Sequence, residues 1–241
     1  MSEGGEPQPI ASLAGRLLAA RDAPATPRRV EARRLGDATR SIIERLVATT
    51  APPEVLADAA DRLEAVAAML GRYEQGRLYD GFAESANAGD PHAFFDWSPL
   101  LGRANPLAPP IRVEALDGRV TGQVRFGSAY EGPPGCVHGG YIAAGFDEVL
   151  GVANSLSGAP AMTGTLTIRY RQPTPLHVDL VYEATLLEVR GRKVTTTARL
   201  LAGDVVTAEA EGLFVRVGTA RFVELMRSRR VPGDATGRGG S

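Results

Sequence analysis

Between residues 111 and 217 the apolar pattern takes a period of two in a series of short runs, and one stretch, 139–155, carries apolar residues at helical spacing instead. A period of two places alternate side chains on opposite faces of a strand, whereas a period near 3.6 builds one face of a helix. The strand-like runs are 111–116, 119–126, 161–170, 177–189, 193–201 and 205–217. They are joined by Asp117-Gly118, a proline-containing loop at 172–175, Arg190-Gly191-Arg192 and Gly203-Asp204, connections that suit antiparallel neighbours and not helical crossovers. The helical stretch is apolar nearly all round, through Tyr141, Ile142, Ala143, Phe146, Val149, Leu150, Val152 and Ala153. Such a helix needs burial on most sides, so the chain is expected to be α+β, with an antiparallel sheet wrapped around one central helix.

Upstream of this domain, residues 1–34 are rich in Ala, Arg, Pro and Gly without a sustained period and read as a flexible arm. Residues 35–75 read as a helical hairpin. Ile42, Ile43, Leu46 and Val47 mark a first helix over 35–48, and Val55, Leu56, Ala59, Leu63, Val66 and Leu70 mark a second over 54–73. Pro52-Pro53 separates the two, and the second proline suits a first helical turn, where a missing N–H costs nothing. Residues 76–110, with Phe94, Phe95 and Trp97 and a stiff proline-rich end, read as an irregular wrapping segment, and 218–241 as a C-terminal tail.

Composition narrows the function classes. The 27 basic and 28 acidic residues leave a net charge of −1, so no overall attraction to nucleic acid or to an anionic membrane follows. Cys136 is the single cysteine and can form no intramolecular disulfide. No run approaches the roughly 18 apolar residues needed to span a bilayer, and the opening MSEGGEPQPI lacks the pattern of a signal peptide, so a cytoplasmic location is expected. His92, His138 and His177 form no ligand pair at helical spacing, and no metal site is expected.

The run Gly132-Pro133-Pro134-Gly135-Cys136-Val137-His138-Gly139-Gly140, with Asp147 nine residues after His138 and Thr163 sixteen after Asp147, resembles the hotdog-fold thioesterases of the phenylacetate-degradation (PaaI-like) type. The resemblance covers roughly residues 100–217 and implies hydrolysis of acyl-CoA or acyl-carrier-protein thioesters, with coenzyme A present only as part of the substrate. It also implies sites built across a dimer interface, with Thr163 holding the attacking water or orienting Asp147 and His138 shaping the carbonyl pocket. Some relatives of this type carry an asparagine six residues before the histidine, where this chain has Gly132. Another group must then supply that hydrogen bond, or turnover is modest. Hotdog hydratases place a histidine five residues after their aspartate, and hotdog dehydratases an acid fourteen after their histidine. Both positions fall here on Val152.

The residues themselves suit thioester hydrolysis, which needs donors for a developing oxyanion and a carboxylate that activates water or attacks the carbonyl. A helix starting at Gly139 offers unsatisfied N–H groups at its positive end, and glycine admits a close ligand, so the Gly139 N–H is the candidate oxyanion donor, with Gly140 beside it in the substrate site. Asp147 is the candidate carboxylate, as base or as nucleophile. The bland alternative is that it marks a wetter stripe with Gly140, Ala144, Gly151 and Asn154. Eight residues at 1.5 Å each put it about 12 Å from Gly139, too far for one thioester, so two copies packed about a dyad with antiparallel helices are expected. Glu148 points about 100° away from Asp147 and is expected to be solvated. Cys136 lacks a third group to orient His138 as its base. Arg169, Arg171, Arg190, Arg192 and Lys193 are candidates for the phosphates of CoA, or simply solubilising charges at strand ends. The competing class is a non-catalytic acyl-CoA-binding module using the helical hairpin to contact a partner. The hairpin is otherwise expected to pack on the sheet or to cover the acyl tunnel.

Overall fold

The computed structural model describes residues 25–73, 96–116, 118–158 and 161–216. The chain runs through helices α1 (Pro27–Ala48) and α2 (Pro53–Leu70), strands β1 (Arg112–Leu116) and β2 (Arg119–Val124), a 3-10 turn at Ser128–Tyr130, helix α3 (Gly139–Ser155), and strands β3 (Ala161–Tyr170), β4 (Leu180–Arg190), β5 (Lys193–Ala202) and β6 (Val205–Arg216). One antiparallel sheet holds all six strands in the order β1-β2-β4-β5-β6-β3. Helix α3 lies against β2, β3, β4, β5 and β6, so the sheet wraps round it in the expected hotdog arrangement.

The core forms where α3 meets the sheet. Phe146, Val149, Leu150 and Ala153 of the helix are wholly buried, together with Val120, Leu180, Tyr182, Val194, Leu200 and Ala208 of the strands. Backbone glycines let the layers approach: a Cβ at Gly145 would overlap the Tyr182 phenol, and one at Gly122 would come within 2.9 Å of Val149. The Tyr182 hydroxyl donates to the Ile142 carbonyl at 3.2 Å, so the most deeply buried phenol keeps a partner.

The N-terminal part departs from the sequence reading. Helix α1 begins at Pro27, eight residues before Leu35, so residues 27–34 are helical and not part of a loose arm. Thr26 caps it, accepting the Arg29 N–H, and Pro27 opens its first turn. The start was hidden because α1 docks through arginines and a glycine instead of an apolar stripe. Arg29 and Arg33 both donate to the buried Asp96 carboxylate, at 2.5 and 2.7 Å. Arg40 donates to the Asn105 and Arg103 carbonyls at 2.7 and 2.6 Å. Gly36 sits against the backbone of Arg103 and Ala104. The segment 96–111 is in turn anchored by Leu101, Ala104, Ala108 and Ile111. Helix α2 buries none of its residues, leaving Val55, Leu56, Leu63, Val66, Met69 and Leu70 exposed. Phe94, Phe95, Asp117, Val217 and the tail lie outside the described residues. Among the described residues no helix is long and apolar enough to cross a membrane.

Gly145→Ala tests the helix-on-sheet contact. The added methyl must displace the Tyr182 ring, and the variant is expected to lose about 1–3 kcal/mol in denaturant unfolding. A loss indistinguishable from zero would mean that α3 does not sit this close to β4.

Candidate active site

The loop entering α3 is closed by its own backbone. Gly132 N–H donates to the Cys136 carbonyl, Cys136 N–H to the Pro133 carbonyl, and Glu131 Oε1 accepts the Gly135 N–H at 2.6 Å. Gly135 has φ +72°, which a side chain would strain. The loop delivers His138 as the cap of α3: its Nδ1 accepts the Gly140 N–H at 3.0 Å. In the neutral ring the proton is therefore on Nε2, leaving that nitrogen as a donor on an exposed side chain. His138 O accepts from Tyr141 and Ile142, whereas the Gly139 N–H has no acceptor among the described residues. The Gly139 carbonyl accepts the Tyr170 hydroxyl at 2.9 Å, which pins the peptide plane of this first turn.

Asp147 lies two turns further along α3, exposed, with Oδ1 accepting the Thr163 hydroxyl at 2.9 Å. Oδ2 has no hydrogen-bond partner among the described residues. Thr163 reaches this position through a bulge. The β3–β6 register shifts between Thr163 and Thr165 around Gly164. Thr163 and Leu166, an odd number of positions apart, consequently both face α3, which a regular strand forbids. A lone glycine inside a strand was the sequence signal for this bulge.

Glu148 corrects the expectation of a solvated side chain, for it is half-buried. Burial, and then the neighbouring Asp147 charge, push its carboxyl up to about 7. The Gly132 departure also acquires a reason. A Cβ at residue 132 would stand 2.8 Å from the His138 Cα, so the loop closes where an asparagine side chain would begin.

The five basic candidates fall at two places, Arg169 and Arg171 at and just beyond the C-terminal end of β3, and Arg190, Arg192 and Lys193 at the β4–β5 turn. Arg169 lines a groove of about 620 Å³ on the opposite face of the sheet, with Arg119, Arg199, Glu183 and Glu209. Arg171 pairs with Glu209 at 2.6 Å, and Arg190 with Glu188 at 2.5 Å. Arg192 donates to the Arg216 carbonyl at 3.3 Å, and Lys193 is exposed at the β4–β5 turn. His177 lies against Ser128, at 3.1 Å, while His92 is outside the described residues. Among the described residues no group of three or more His, Cys, Asp or Glu is placed to hold a metal ion. The Tyr170 contact escaped the sequence reading, because a tyrosine ending a strand carries no signal that it reaches a helix 31 residues earlier in the chain.

The model of the thioesterase superfamily matches residues 134–209, the stretch that carries the second part of this loop, α3 and most of β3–β6. A crystal structure of a thioesterase superfamily protein superposes with a TM-score of 0.68 at 38% identity, covering 76% of this chain and 94% of that one. The chain belongs to the thioesterase superfamily. Curated relatives of this superfamily member include acyl-coenzyme A thioesterase THEM4 of Xenopus laevis, 33% identical over 93 residues, covering 38% of this chain and 42% of that protein. Acyl-coenzyme A thioesterase THEM5 of Homo sapiens is 31% identical over 93 residues, covering 38% of each. The match thus spans less than half the length of these curated relatives.

The raised Glu148 carboxyl has a sign that can be measured. Its folded value, about 7, exceeds the ordinary 4.5, so its contribution to stability is complete below about pH 4.5 and is lost as pH rises through 7. Glu148→Gln removes that loss. The variant should gain on the order of 2 kcal/mol over the parent at pH 8.5, with the difference shrinking toward pH 5. A difference that does not change with pH would show that Glu148 is solvated after all.

Proposed function

We propose that this thioesterase superfamily member hydrolyses acyl-CoA thioesters to a free acid and a thiol, with Asp147 as the reacting carboxylate and the Gly139 N–H as oxyanion donor. The observation carrying this reading is the state of Asp147: an exposed carboxylate on the buried helix, oriented through one oxygen by Thr163 and open at the other. The curated relatives named acyl-coenzyme A thioesterases support CoA as the thiol carrier; a carrier protein is the alternative donor.

Along one helix Asp147 and Gly139 are about 12 Å apart, so a complete site needs two subunits. Strand β3 favours such a pairing. It is an edge strand of ten residues with Arg169 as its lone charge, a long, nearly neutral edge of the kind proteins cover. Beside it α3 presents Gly140, Ala144 and Gly151, and a Cβ at Gly151 would meet nothing within 4 Å. In this reading a second copy pairs along β3 and sets the two helices antiparallel, bringing Gly139 of one subunit towards Asp147 of the other. The thioester carbonyl oxygen then accepts from the Gly139 N–H while His138 Nε2–H borders the pocket. Asp147 takes a proton from water attacking the carbonyl carbon, or attacks that carbon itself. The C–S bond breaks, the thiolate leaves and is protonated, and water supplies the oxygen of the acid. Removing an oxyanion donor of this kind costs about 10²–10³ in turnover where it has been measured.

Thiol release from a panel of short, long and aromatic acyl-CoAs tests the reading. Asp147→Asn should lose at least about 10²-fold in kcat, while Glu148→Gln keeps most of it. Saturable acyl-CoA binding with no turnover by the intact protein on any thioester would make it a binding module instead.

A further inference from the structure

Helix α1 reaches past the segment it clamps. Near its C-terminal end Glu44 meets the bend at 127–129: Oε1 accepts the Ser128 N–H at 2.7 Å and Oε2 the Ala129 N–H at 3.2 Å. Gly127 lies so close that a Cβ there would overlap the Glu44 carboxylate. Burial opposes the charge on Glu44, but the two N–H groups, the Ser128 hydroxyl and His177 outweigh it and hold the carboxyl below its ordinary range. The interaction is therefore between a full anion and backbone donors, the stronger class of hydrogen bond.

The bend that Glu44 holds is also the support of the α3 entry. The Tyr130 carbonyl accepts the His138 N–H at 2.9 Å. The Tyr130 ring stands edge-on to Tyr141, in the first turn of α3, with centroids 4.8 Å apart, and edge-on to Phe126 at 5.4 Å. His138 and Tyr141 bracket Gly139, so an unbroken run of contacts joins the α1 carboxylate to the peptide that carries the oxyanion donor. Glu44 and the bend both precede residue 134, where the family match begins.

We infer that Glu44 is a positioning residue for the oxyanion end of the site: by fixing Ser128 and Ala129 it sets Tyr130, and through Tyr130 the direction of the Gly139 N–H. This rests on the thioesterase reading, since it assigns the N–H that role. A displacement of a fraction of an ångström at such a donor weakens the transition state more than substrate binding, so the loss should fall on kcat.

The test uses the full-length protein and three variants. Glu44→Ala removes both acceptors, Glu44→Gln keeps one oxygen, and Gly127→Ala pushes the carboxylate away without removing it. Glu31→Gln, an exposed partner of Arg34 on the same helix, is the control. Glu44→Ala and Gly127→Ala should lower kcat on an acyl-CoA about tenfold per folded molecule, with KM within about twofold, and Glu44→Gln should restore part of it. The backbone amide resonances of His138, Gly139 and Gly140 should move in all three and stay in place in the control. Variants that unfold at lower temperature yet retain kcat and these resonances would overturn the inference and leave Glu44 a purely structural tie. If the parent protein turns over no thioester, the reading of the reaction fails, and the amide resonances still decide whether Glu44 sets the α3 entry.

Discussion

The packing of α3 into the curve of the sheet governs everything else in the molecule. Phe146, Val149, Leu150 and Ala153 commit one side of the helix to the core, and Gly145 brings it against Tyr182 with no space between. A helix held on that side can show polar atoms only toward its open flank and at its ends. The polar atoms of the site occur at those two places: Asp147 on the flank beside β3, and the capped His138-Gly139 turn at the N-terminus. The hydrophobic contact therefore fixes the two-turn separation of Asp147 from Gly139 along α3, and the edge strand β3 lies beside that same flank.

The N-terminal region contributes by a different physics. Helix α1 is held by charge and backbone contacts: two arginines on Asp96, Arg40 on carbonyls, Glu44 on N–H groups. Interactions of this kind are directional, so they hold a loop in one orientation more strictly than an apolar contact does. Such a helix acts as a brace for the segments it touches, the 96–105 stretch on one side and the bend before α3 on the other.

How far the sequence could be read follows from which forces leave a periodic trace. Alternation and helical spacing announce burial, and they locate α3 and the strands within a few residues. Strand β4 starts at Leu180 and not at residue 177 because His177 sits at φ +60°, outside any strand conformation. Helix α1 leaves no apolar period along residues 27–34, since Arg29, Arg33 and Gly36 do its docking, and so it was read too short. In the site, the spacing from His138 to Asp147 and Thr163 was legible, and the structure brings Thr163 onto Asp147. The bulge that turns Thr163 inward was signalled only by Gly164. The burial of Glu148, the Tyr170 hydrogen bond and the Glu44 contact depend on chain segments meeting across 31 to 85 positions of sequence or on partial enclosure, and neither is written in local pattern.

In the proposed reaction each site takes Gly139 from one subunit and Asp147 from another. This arrangement is tested by co-expressing Asp147→Asn and Gly139→Pro chains under two affinity tags and purifying the mixed dimer. Proline removes the N–H at a first helical position where its ring is tolerated, and the extended backbone of His138 suits a following proline. Each parent variant alone should be nearly inactive. The mixed dimer should regain about half of wild-type turnover, because one of its two composite sites has both groups intact. A mixed dimer as inactive as its parents would contradict the account and place both groups of a site in a single subunit.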